Sequence, residues 1–230
     1  MRDTHVLTEP AILYFGTPVV LISTLNEDGS ANLAPMSSAF WLGWRCVLGL
    51  ASASKTTQNL LRTGQCVLNL ASVHEAAAVD RLARTTGSDP VPPNKLARGY
   101  RHEARKFETA RLTPVPSQVV AAPRALECPV QMEAVLAAHH GLMEDSPRKG
   151  ASMAIEVRIV RVHAAPQVLM EGEPNRIDPD KWRPLIMSFQ KFYGLAPEQV
   201  HGSELARIPE ALYRSPDVER ARVSFPASVG

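Results

Sequence analysis

Residues 51–60 (ASASKTTQNL) gather small hydroxyl side chains and one lysine where an apolar run gives way to helical composition. Such a strand-to-helix junction suits a phosphate. The first N–H groups of a helix lack intrahelical acceptors and carry the positive end of its dipole, while Ser, Thr and Lys add hydrogen bonds and charge. The same residues also fit a plainer reading, in which Ser54 only caps the helix and Lys55 is solvated. A second stretch, Asn32-Leu33-Ala34-Pro35-Met36-Ser37-Ser38, follows a hairpin pattern. Its small side chains would let backbone N–H and C=O groups reach the edge of a flat heteroaromatic ring. By itself it reads equally as a polar loop ending a strand.

The elements that must position these residues have the punctuation of an antiparallel sheet. Residues 18–25 (PVVLISTL) are β-branched and apolar, residues 26–29 (NEDG) supply turn chemistry, and residues 30–34 (SANLA) resume in short alternation. Residues 45–51 (RCVLGLA) and 65–71 (QCVLNLA) are two more short strands, separated by a helix with Ser54 as its cap and Gly64 as its stop. Residues 75–86 (EAAAVDRLARTT) predict an amphipathic helix, ended by Gly87 and a proline cluster, as an excursion from the sheet. Residues 126–139 and 152–162 return to strand character. In the latter Ile155, Val157 and Ile159 alternate with Glu156, Arg158 and Arg161, with one slip. The expected architecture is mainly β with peripheral helices, a closed or nearly closed barrel over about residues 10–170 within one domain spanning 1–230. From Asp178 onward no strand pattern appears, and about residues 175–230 read as an arm over the barrel or over a partner subunit. In residues 181–194 (KWRPLIMSFQKFYG), Trp182, Phe189, Phe192 and Tyr193 follow helical spacing, which favours packing. Phe192 and Tyr193 are also candidates for a lid.

Composition narrows the function. With 25 basic and 23 acidic residues the net charge is +2, and no run of like charges suggests nucleic-acid or membrane-surface binding. No apolar stretch is long enough to span a bilayer, and the N-terminal residues lack a leader pattern, so a cytoplasmic location is expected. Cys46, Cys66 and Cys128 form no C-x-x-C pair and read as buried free thiols. His139-His140 lacks further ligands at recognisable spacing, so no metal is expected. Nucleophile triads, Walker loops and dinucleotide fingerprints are absent from the sequence.

The order and spacing of the motifs give more than either alone. A hairpin with Asp28-Gly29, then Asn32-x-Ala34-x-x-Ser37, then Ser54-Lys55-x-Thr57-x-x-Asn59 and Val67-x-Asn69 together resemble the flavin reductase-like family of FMN-binding split barrels. The resemblance is carried by residues 18–72, and the later strands and tail resemble the longer, flavoredoxin-like members more loosely. It implies a dimeric split β-barrel with a C-terminal arm and non-covalent FMN at the subunit interface. Asn32, Leu33, Ala34, Pro35, Met36, Ser37 and Ser38 would line the ring, while Ser52, Ala53, Ser54, Lys55, Thr56 and Thr57 would hold the ribityl and phosphate groups. The implied activity is NAD(P)H-driven reduction of flavin, a partner protein or a small organic acceptor, with NADH or NADPH binding transiently; no catalytic side chain is singled out. Two alternatives stay open: an FMN-binding carrier that stores or relays electrons, and a barrel of the pyridoxamine-phosphate-oxidase type with another cofactor.

Overall fold

A computed structural model describes residues 4–224. Along the chain run β1 (Thr17–Pro18), β2 (Val20–Leu25), β3 (Ala31–Met36), β4 (Ala39–Leu42) and β5 (Arg45–Ala51), followed by α1 (Lys55–Thr63) and β6 (Gln65–Leu70). An excursion follows: α2 (Ala76–Leu82), β7 (Thr85–Thr86), α3 (Pro93–Leu96), β8 (Arg101–His102), α4 (Lys106–Ala110) and the short strands β9 (Pro114–Val115) and β10 (Arg124–Ala125). The long strands β11 (Val130–Gly141) and β12 (Ser152–Ala164) precede β13 (Leu169–Met170), β14 (Glu173–Ile177), β15 (Ile186–Ser188), β16 (Lys191–Tyr193) and α5 (Pro216–Ser224).

Seven strands form one antiparallel sheet in the order β3-β2-β6-β11-β12-β5-β4. Its two edge strands are consecutive in the chain, separated only by Ser37 and Ser38, and the Gly49 N–H donates to the Ser38 carbonyl at 2.8 Å. The sheet therefore curls until its edges share one stretch of chain. This is a split β-barrel, joined by covalent continuity where β3 and β4 do not pair.

Alternation fills the interior. On β5, Cys46, Leu48 and Leu50 are buried while Arg45, Val47 and Gly49 are only partly so, and the buried set meets Ile22, Leu68 and Ile155 in one core. Each such aliphatic side chain removed from water contributes about 1.5–3 kcal/mol. The slip anticipated in β12 is a register step: Glu133 pairs with Arg161 and Ala134 with Ile159, leaving Val160 unopposed. Val160 turns instead into a small outer cluster with Val67, Val120 and Ala122. All three cysteines are free and buried, and burial pushes the Cys46 thiol up to about 12.

One carboxylate ties an irregular segment to this wall. Glu133 is fully buried on β11, where it accepts the backbone N–H groups of Gln118 (2.8 Å), Val119 (2.6 Å) and Val120 (3.0 Å) and meets His163 Nε2 at 2.7 Å. Burial alone would push its carboxyl up, but the His163 contact and the three N–H donors outweigh it and hold the group at about 2.

A second core lies on the outer face of β2 and β3, where Leu21 and Leu33 pack against Val79 and Leu82 of α2, Phe107 of α4 and Leu185. Here the structure departs from the sequence reading twice. The helix expected over residues 75–86 is a 3-10 turn, Val73–Glu75, closed by a Ser72–Glu75 capping box and followed by α2; Thr85 and Thr86 leave it to pair in parallel with Arg101 and His102. Residues 181–194 are not helical: β15 and β16 form a hairpin whose turn places Phe189 and Gln190 in left-handed conformations (φ 45° and 67°). Thr17 and Pro18 pair with Met187 and Ile186, so the hairpin is recruited by backbone partners distant in sequence, which overrides local spacing. The arm thus begins as a separate three-stranded sheet, β1-β15-β16, packed against the outer core. Farther on, α5 buries Val218 and Ala221, and its Asp217 joins Arg45 (2.8 Å) on β5. Residues 225–230, assigned to the arm from sequence, lie outside the described residues.

Candidate functional site

Both chemistry-bearing stretches meet at the sheet edge. β3 has only β2 beside it, so half of its backbone N–H and C=O groups have no ladder partner. Asn32, Leu33, Ala34, Pro35 and Met36 belong to this strand, not to a loop, and Ser37 and Ser38 form the joint to β4. Burial divides their roles. Leu33 is buried in the outer core and offers a ligand only its backbone, whereas Pro35, Met36 and Ser37 line a groove of about 170 Å³. Val79 and Ala83 of the α2 segment form another wall of this groove, with Met187 and Phe192 of the C-terminal hairpin. Phe192 thus stands at the groove as a wall, while Tyr193 is 53% exposed and lies outside that lining.

The helix junction sits farther along β3. Ser54 caps α1 by accepting the Thr57 N–H at 3.1 Å, and Gly64 ends the helix in the left-handed region (φ 67°). With that donor taken, Lys55 and Thr56 retain N–H groups without intrahelical partners, and no acidic residue occupies the first turn. Several hydroxyls are already committed: Ser52 donates to the Gly150 carbonyl (2.5 Å), Thr57 to the Ala51 carbonyl (2.9 Å), and Thr56 accepts from the buried Asn32 amide (3.2 Å). Ala53 is exposed beside them. Lys55 Nζ pairs with Glu27 Oε2 at 2.7 Å, and this hydrogen bond holds the exposed Glu27 carboxyl below its usual range.

The residue that joins the two stretches is Gly87, which the sequence marks only as a helix stop. A Cβ added there would lie 2.6 Å from Asn32 Oδ1 and 3.1 Å from Lys55 Cγ, so its backbone is pressed against both. The next residue, Ser88, has a buried hydroxyl oxygen with no hydrogen-bond partner. Gly87 adopts no positive φ, so its requirement comes from contact alone, and no local signal discloses it. His139 and His140 lie exposed on β11, away from this site's lining.

A split barrel with an open edge strand, a helix N-terminus and an apolar groove along one line defines the architecture of a flavin-site split-barrel protein. The chain belongs to the flavin reductase like domain family, whose model matches residues 12–196. It is 38% identical over 200 residues, 86% of this chain and 93% of the relative, to the uncharacterized protein YdfE of Bacillus subtilis. In fold it is similar to the flavoredoxin of Desulfovibrio vulgaris (TM-score 0.68, 19% identity, covering 89% of this chain and all of that one). It is likewise similar to nitrilotriacetate monooxygenase component B from Bacillus cereus (TM-score 0.66, 21% identity, 81% and 88% coverage). Family membership places the chain among flavin-related redox proteins. No helix among the described residues is long and apolar enough to cross a membrane.

Proposed function

We propose that this chain holds FMN non-covalently along β3 and serves as an NAD(P)H-driven reductase that passes electrons to free flavin, a redox partner or a small organic acceptor. The observation that carries the reading is the packing of Gly87 against both Asn32 and Lys55, with the Asn32 amide donating to Thr56 Oγ1 at 3.2 Å, so that β3 and the start of α1 adjoin. Asn32 and Met36 are four residues apart on β3, about 13 Å, a separation suited to a ring at Pro35–Ser37 and a phosphate at Lys55–Thr56. Bound flavin would supply hydride and single-electron chemistry, so the protein's task is binding and orientation. Unpaired β3 backbone groups would meet the ring edge, Met36 and Phe192 would exclude water, and the Lys55 ammonium with the free α1 N–H groups would fix the phosphate. A homodimer completes the proposal; exposed Phe40 and Leu42 on the edge strand β4 offer apolar area for it. Light scattering should return a mass above that of a single 25.1 kDa chain, and a concentration-independent monomer with FMN bound would contradict it.

The decisive experiment is anaerobic. The purified protein should take up FMN, and NADH or NADPH should bleach the bound flavin within seconds to minutes; bound flavin that neither nucleotide reduces would make the chain a carrier rather than a reductase. Lys55→Ala should weaken FMN about ten-fold, equivalent to about 1.4 kcal/mol, while riboflavin, lacking the phosphate, binds parent and variant alike. Equal loss of both ligands would place the phosphate elsewhere.

A further inference from the structure

The excursion carries two lysines, Lys95 on α3 and Lys106 at the start of α4, whose ammonium groups bond to hydroxyls. Lys106 is only 2% exposed, and its Nζ donates to the Thr85 hydroxyl at 2.6 Å. Lys95, half-buried on α3, donates to the Thr86 hydroxyl at 3.1 Å and has the Tyr100 ring centroid at 5.8 Å. Among the described residues neither forms an ion pair. Burial pushes both ammonium groups down, Lys106 to about 8, and Lys95 adds to the effect on Lys106 by repulsion. Cations held by neutral hydroxyls in a poorly hydrated place are costly unless an anion joins them.

Their place in the chain says which anion. Thr86, which Lys95 grips, is followed by Gly87, which rests on the Lys55 side chain, and by Ser88, whose N–H donates to Thr86 Oγ1 (3.3 Å) while its own hydroxyl is unpartnered. The Lys55 stem and the Lys95 ammonium therefore touch the same Thr86–Ser88 turn. A phosphate monoester carries roughly −1.5 to −2 charges at neutral pH. Lys55 already shares its charge with Glu27 at 2.7 Å, so one cation with two free N–H groups leaves that charge under-compensated.

We propose that Lys95 is a second phosphate-binding cation of the flavin site, acting across the Thr86–Ser88 turn from Lys55. This rests on the FMN-binding reading above. It assigns the proline-rich excursion a binding role: the loop carries a charge to the phosphate end that α1 cannot supply.

The test compares dissociation constants for FMN and riboflavin, by flavin fluorescence quenching at low salt, in the parent, Lys95→Met, Lys95→Arg and Lys55→Ala. Lys95→Met should weaken FMN about ten-fold with riboflavin unchanged, and Lys95→Arg should retain most of the FMN affinity. Apo-protein melting within a few degrees of the parent establishes that the variants fold, and Lys95→Gln, which keeps a polar head beside Thr86, serves if the methionine variant does not. Unchanged FMN affinity in the neutral variant, or equal weakening of both ligands, overturns the inference. Should Lys55→Ala still discriminate FMN from riboflavin in that case, only the second cation falls. If neither lysine variant discriminates, the phosphate placement falls with it.

Discussion

Glu133→Gln should lower folding stability by about 3 kcal/mol at pH 7, a large share of the margin of an ordinary domain. The Glu133 carboxyl titrates at about 2 in the folded chain against an ordinary 4.5. A group depressed by folding contributes stability above its unfolded value and loses it as pH falls from about 4.5 towards 2. At about 1.4 kcal/mol per pKa unit the difference amounts to roughly 3 kcal/mol. The amide variant keeps the shape but turns a donor towards the N–H groups of Gln118, Val119 and Val120 or the ring of His163. Urea unfolding at pH 7 and pH 3 checks both parts: the parent should weaken markedly at the lower pH, and the variant should lose less between the two. A loss at pH 7 below about 1 kcal/mol would mean that Val120 and Ala122, packed on Val67 and Val160, hold the segment by apolar contact alone.

Gly87→Ala should damage stability and flavin binding together. One methyl group would have to occupy space 2.6 Å from Asn32 Oδ1 and 3.1 Å from Lys55 Cγ. Asn32 is 2% exposed and its amide nitrogen is engaged with Thr24 and Thr56, while Lys55 is engaged with Glu27, so neither side chain yields without losing a partner. Overpacking of this kind costs about 1–3 kcal/mol. On the proposed function, the turn must then lift away from the helix start, and FMN affinity should fall ten-fold or more. Thermal melting of the apo-protein and FMN titration measure the two effects. An alanine variant that melts and binds as the parent does would show that the turn has slack, and that the close contact has no part in shaping the site.

How much of this was legible beforehand follows the range of the interactions involved. The first hairpin declares itself because its turn is local: Asp28 accepts the Ser30 N–H at 2.9 Å and Gly29 takes φ 82°. The α1 boundaries do so because the Ser54 cap and the left-handed Gly64 stop act within one turn of the helix they bound. Alternation in β12 disclosed the barrel wall, including the slip that became a register step. Ser54 and Lys55 were accessible to sequence for the same reason: a helix start carries its chemistry in adjacent residues. Other features could not be read this way. The contact of Gly87 with Asn32 and Lys55, the meeting of Glu133 with the segment 118–120, and the pairing of Thr17 and Pro18 with the 186–187 strand each join residues far apart in the chain. Aromatic spacing in residues 181–194 suggested a helix because period alone cannot register a partner strand, Thr17–Pro18, about 170 residues away in the chain. Sequence by itself determined the first hairpin, the strands at residues 45–51, 65–71 and 152–162, the cap and stop of α1, and the family resemblance; tertiary structure decided the 186–193 hairpin, and which of the nominated residues face a groove and which are buried. Those outcomes depend on burial and on distant hydrogen-bond partners, and both exist only once the sheet has curled back on itself.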